Sequence, residues 1–91
     1  MARRDAAERR QASAPLRKKI QDCEKLLEKL RVEIGKYDAE LAAPDLYDRD
    51  PQKASTLAKA RADRVHAFAR AESEWLDYSE ELERVETGEA A

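Results

Sequence analysis

With 91 residues, 42% of them charged, 42% hydrophobic and only five aromatic, the chain has material for one small domain and none for a deep globular core. No apolar run approaches the ~20 residues that cross a bilayer and no apolar signal segment follows Met1, so a membrane span is excluded and a cytoplasmic, soluble chain is expected. The net charge of −2 argues against strong general attraction to polyanions, and a single cysteine excludes an internal disulfide.

Residues 1–13 read as a basic helical lead-in or linker. Pro15 follows, and it admits two readings. Ser13 or Ala14 caps a new helix whose first turn contains Pro15, where the missing N–H does least harm, or one continuous helix kinks there. The hairpin proper is expected over 14–86, its first helix at about 14–42. Along it Leu16, Ile20, Cys23, Leu27, Leu30, Ile34, Tyr37 and Leu41 follow at alternating steps of four and three. A heptad stripe of this kind stays on one face only if the helix winds around a partner. Cys23, on the seam, reads as a small buried apolar side chain and not a nucleophile or ligand. Gly35 flanks the seam and costs about 1 kcal/mol of helix propensity without ending the pattern.

Residues 43–50 read as a turn, because Pro44 cannot continue the first helix. Asp50 followed by Pro51 is a helix start with a capping residue and a proline at the first position. Leu46 and Tyr47 are expected to fold back over the end of the seam. The acids Asp45, Asp48 and Asp50 lack the glycine and terminal glutamate of a calcium loop, so they read as caps and turn formers.

The second helix is expected at about 51–86, with Leu57, Phe68, Ala71, Trp75, Tyr78, Leu82 and Val85 at seam positions. Between Leu57 and Phe68 the strict heptad positions are Arg61 and Arg64, while Ala58, Ala62 and Val65 form the neighbouring stripe. Either the seam shifts there or the arginine stems cover it. Residues 87–91, with Gly88, read as a frayed tail.

Folding back at the turn pairs residues whose numbers add to about 98, setting Leu41 against Leu57, Leu30 against Phe68 and small Cys23 against Trp75. Charge gives an independent check. Residues 1–19 carry seven basic and two acidic side chains, and residues 72–91 carry eight acidic and one basic. An antiparallel hairpin lays these side by side, with Arg17, Lys18 and Lys19 near Glu80 and Glu81, whereas a parallel dimer juxtaposes like charges. The predicted fold is therefore all-α, an antiparallel two-helix coiled-coil hairpin.

Catalytic chemistry is not legible. There is no phosphate-binding glycine loop, no Cys-x-x-Cys and one histidine, His66, without a second ligand or triad partner. Glu80, Glu81 and Glu83 on a surface helix have no pocket to tune them. No catalytic, cofactor-binding or metal-binding residue is assigned. Trp75 at a seam position reads as a core anchor before a stacking platform. The basic residues Arg3, Arg4, Arg9, Arg10, Arg17, Lys18 and Lys19 are the candidate partner-binding set. They either neutralise nucleic-acid phosphates or pair with the acidic second helix.

APLRKKI at 14–20, the heptads after it, the turn APDLYDRDP at 43–51 and SEWLDYSEEL at 73–82 together resemble the C-terminal domain of ABC-F ATP-binding proteins. In that family a charged helical tail, an antiparallel coiled-coil hairpin, follows two ATP-hydrolysing cassettes. Leu46 and Tyr47 match the family's Leu-Tyr or Phe-Tyr turn element, and Trp75 matches an aromatic common in the second helix. The resemblance covers about Arg3 to Val85. Neither cassette is present, so no nucleotide-binding residue carries over, and ATP and magnesium are implied only for a longer parent ATPase. The resemblance implies a non-catalytic module that contacts DNA, RNA or a ribosome beside the cassettes of its own parent chain. The alternative is a structural spacer or self-association element without nucleic-acid binding, so a monomer is expected or, on the second reading, a weak homodimer.

Overall fold

The structure, a computed structural model, describes residues 2–88, with side chains from Asp5 onward. It is all-α. Helix α1 spans Ala2–Leu41, a single-turn α2 spans Leu46–Arg49 and α3 spans Pro51–Thr87. The 40-residue α1 and the 37-residue α3 pack side by side as an antiparallel helical hairpin measuring 71 × 18 × 14 Å. At ~1.5 Å per residue a helix of this length spans about 60 Å, so α1 is nearly the full length of the rod.

The buried apolar side chains are Leu16, Cys23 and Leu30 of α1, Leu46 of α2, and Ala54 and Ala71 of α3. Ile20, Leu27, Ile34, Tyr37 and Leu41 are half-buried, as are Leu57, Phe68, Trp75, Tyr78 and Leu82 across from them. Two helices cover each other along one strip only, and most seam side chains keep an edge in water. On α1 the same alternation runs back past Leu16 to Ser13, which is 0% exposed, and to half-buried Arg9 and Ala6.

Four of the cross-hairpin contacts mark the register. Arg61 Nε donates to Asp38 Oδ1, Arg64 Nε to Glu33 Oε2 at 2.8 Å, and Trp75 Nε1 to Glu24 Oε2 at 3.3 Å, while Lys19 Nζ lies 5.3 Å from the centre of the Tyr78 ring. These residue numbers add to 97 or 99, on either side of the expected 98.

Helix α1 runs unbroken through Pro15. Neither Ser13 nor Ala14 begins a new helix. A capping serine needs non-helical backbone, and Ser13 is itself helical. Its hydroxyl turns back to donate to the Arg10 carbonyl at 3.1 Å. The same carbonyl accepts from Arg17 Nη2 at 3.1 Å, and Arg17 Nη1 donates to Ser13 Oγ. Side chains thus brace the turn where the proline lacks an N–H.

The reversal is tighter than a loop. The Ala42 N–H still bonds the Asp38 carbonyl at 3.0 Å, and the Leu46 N–H bonds the Ala43 carbonyl at 3.2 Å, leading into α2. The Asp50 carboxylate then accepts the Lys53 N–H at 3.0 Å and caps α3, whose first residue is Pro51. Leu46 is 3% exposed and closes the end of the seam; Tyr47 is 61% exposed and does not. Adjacent residues on a helical turn point ~100° apart, so α2 directs only one of the two inward. At the far end Gly88 takes φ 75°, the left-handed conformation that stops α3, and its N–H bonds the Val85 carbonyl at 3.2 Å. Of the expected tail, 89–91 lies outside the described residues.

Candidate partner-binding surfaces

The side chains of Arg3 and Arg4 lie outside the described set. The other five basic candidates divide by what they touch. Arg17 is committed within the fold: besides bracing the Pro15 turn, its Nη1 lies 3.2 Å from Glu86 Oε1 on α3. Lys18 pairs with Asp22 one turn along at 2.8 Å and keeps 66% of its side chain exposed. Lys19 lies against Tyr78. Arg9 and Arg10 line a hollow with Ala6 and Glu86 at the open end of the hairpin. Among the described residues no ion pair joins Arg17, Lys18 or Lys19 to Glu80 or Glu81; the cross-helix charge contact falls on Glu86 instead. Arginine's reach allows it to bypass the nearer acids and close on the one beside the open end.

By the register, α1 residues before about 11 have no counterpart in α3, which stops at Gly88. The amino-terminal turns of α1 therefore form the open end of the hairpin, where Arg9 is half-buried and Arg10 exposed beside Glu86. Acids gather on the opposite arm, where Glu80, Glu81 and Glu83 are exposed.

The arginine stems, and no shift of the seam, fill the interval between Leu57 and Phe68. Arg61 and Arg64 are both half-buried, whereas Ala58, Ala62 and Val65 are exposed. Their cross-strand acids, Asp38 and Glu33, were the missed signal in the sequence, since each falls within one position of the expected register.

Around Trp75 the two helices enclose an open groove. Leu27 and Phe68 line it with the indole, and Glu24, Glu28 and Glu72 line it with carboxylates. Arg31 also borders it, its guanidinium carbon 5.9 Å from the Phe68 ring centre and its Nη1 3.2 Å from Glu28 Oε2. The Trp75 indole is thus both a seam residue and a groove wall.

His66 is exposed. Cys23, 7% exposed, has its thiol pushed up from its ordinary range, first by burial and then by the carboxylates of Glu74, Asp22 and Glu24. Thiolate nucleophiles need the opposite environment. Asp45 pairs with Arg49 at 3.5 Å and Asp50 caps α3, so these acids stabilise the turn. Among the described residues no helix is long and apolar enough to cross a membrane.

The chain is thus a two-helix rod with Leu46 and Tyr47 at its reversal and Trp75 on the second arm. The family model of the ABC transporter C-terminal domain matches residues 11–83. The chain belongs to that family. The match takes in both arms of the hairpin and the reversal, from just after Arg10 to just before Arg84. No curated protein and no solved structure matches the chain. Within this ABC transporter C-terminal domain, the basic amino-terminal turns fall at or before the edge of the matched segment, and Trp75 and its groove fall inside it.

Proposed function

We propose that this ABC transporter C-terminal domain is a non-catalytic contact arm of an ABC-F type ATPase, acting in the cytoplasm. The basic amino-terminal turns of α1 touch the phosphates of a DNA, RNA or ribosomal partner. ATP and magnesium belong to the cassettes of the parent chain, and this domain supplies reach and charge.

The observation that carries the reading is the cationic open end of the hairpin, where half-buried Arg9 and exposed Arg10 lie beside the end of α3. Arg10, exposed at that end, is open to a phosphate backbone, whereas Arg17 is held by Glu86 and the Pro15 turn. Lys18, with two-thirds of its side chain in water, exchanges Asp22 for a phosphate at little expense, since exposed helical pairs contribute only about 0.3–0.5 kcal/mol.

The test is binding of the domain to duplex RNA and duplex DNA by fluorescence anisotropy across a salt series. Reversing Arg4, Arg9 and Arg10 to glutamate is expected to weaken binding and flatten the slope of log affinity against log salt. Unchanged affinity and slope would sink the assignment. A second reading is self-association, favoured by the exposure of Leu26 (42%) and Leu76 (49%). Sedimentation over a range of concentrations separates it, since only self-association makes the mass rise with concentration.

A further inference from the structure

We propose that the groove beside Trp75 receives an arginine side chain from a basic peptide segment of a partner protein. Its apolar lining is the indole of Trp75, the ring of Phe68 and the side chain of Leu27. These surfaces suit the methylene stem and flat face of a guanidinium, which stacks on aromatic rings. The carboxylates supply the charge. Glu24, Glu28 and Glu72 border the groove, and Arg31 is the one cation among its lining residues.

Arg31 also shows how the groove handles such a group. Its guanidinium lies over Phe68 while it bonds Glu28, which is the aromatic-plus-carboxylate pairing the proposal requires. That leaves the Trp75 end with Glu24 and Glu72 and no cation. The Trp75 N–H donates to one Glu24 oxygen, which orients the indole and leaves the other oxygen free to accept. Among the described residues Glu72 has no ion-pair partner and is exposed. A planar guanidinium set against the indole meets both acids, with the bidentate geometry that arginine offers and lysine does not. Phosphate is disfavoured at this place by the same acids, so the groove is a surface separate from the basic end of α1.

Trp75 is the single tryptophan, so its fluorescence reports on the groove directly. The intact 91-residue chain is titrated with a short peptide whose one charged group is a single arginine, and separately with the same peptide carrying citrulline in its place. The arginine peptide is expected to give a saturable change and the citrulline peptide none. Glu72→Gln, which leaves the indole–Glu24 bond intact, is expected to raise the half-saturating concentration about tenfold, the loss of one charge-assisted contact. Circular dichroism checks that helicity is unchanged. The proposal is overturned by the absence of a saturable change, by an equal response to citrulline, or by an unaltered midpoint in Glu72→Gln. A fluorescence change that follows protein concentration without peptide assigns the groove to a second copy and equally overturns it.

Discussion

Arg64 places its Nε 2.8 Å from Glu33 Oε2 across the hairpin, with its guanidinium carbon 5.9 Å from the centre of the Tyr37 ring. Both side chains are partly withdrawn from water, at 38% and 30% exposure. An arginine at a heptad position loses apolar contact that a leucine would make. In exchange it discriminates between registers. A slide of α3 by one heptad toward the amino terminus of α1 would carry Arg64 from Glu33 to Leu26 and Arg61 from Asp38 to Arg31, breaking one pair and opposing like charges at the other.

A double-mutant cycle on Glu33→Ala and Arg64→Ala is expected to return a coupling of about 1 kcal/mol, the upper part of the range for incompletely buried pairs. Urea unfolding of the four proteins measures it. Replacing both Arg61 and Arg64 with leucine is expected to hold or raise the unfolding midpoint, because well-packed apolar residues commonly match an ion pair. The same variant should lose specificity, read as a concentration-dependent mass in sedimentation.

Core and flank differ in what truncation removes. Leu30 is 4% exposed, and Leu30→Ala is expected to destabilise by about 2–4 kcal/mol through lost transfer energy and a residual cavity. Val32, two residues along and 48% exposed, is expected to change stability by less than about 0.5 kcal/mol when cut to alanine. Urea midpoints decide between this one-sided burial and a larger assembly that covers the outer face, in which Val32→Ala would be costly too.

The hairpin was legible because three independent signals in the sequence agree: the eight-residue seam of α1, the proline-bounded reversal and the opposite charges of the two ends. What was ambiguous has a physical reason in each case. Arg61 and Arg64 break the apolar pattern, and only the acids across the hairpin show that the pattern continues through them. Pro15 has the local chemistry of a helix start, yet α1 continues through it, with Ser13 and Arg17 bonding the Arg10 carbonyl from within one helix. Tyr47 is apolar enough to suggest burial, but the turn of helix at Leu46–Arg49 faces it outward. The basic candidates looked equivalent as a run of charge; their different partners depend on side-chain reach, which spacing alone does not encode.

Pro15 gives a prediction of its own. It is exposed inside α1, where proline is about 3 kcal/mol less favourable than alanine. Pro15→Ala restores the N–H that the proline denies the Gln11 carbonyl, and is expected to stabilise by about 1–3 kcal/mol. Amide exchange localises the effect: protection should rise between Asp5 and Ala14, since their helical turns lie between the proline and the open end of the hairpin. An exchange pattern unchanged there would show that the proline imposes no local weakness.

The thiol of Cys23 predicts how stability depends on alkaline pH. Burial against the seam, with Glu74, Asp22 and Glu24 around it, raises its pKa in the folded chain above that of the unfolded chain. Below the unfolded thiol's pKa both states are protonated and stability is unaffected by this group. As pH rises past that point the unfolded chain releases its proton first, so the folded state loses stability progressively until its own thiol ionises. Cys23→Ala is expected to have a flatter stability curve on the alkaline side, despite a lower starting stability from the lost packing. Urea unfolding of both proteins on either side of the unfolded thiol's pKa measures the difference, and alkylation of Cys23 should be slow in the folded chain and fast in urea. Parallel curves for Cys23→Ala and the parent, or rapid alkylation of the folded chain, would mean that the thiol is not held protonated in the seam.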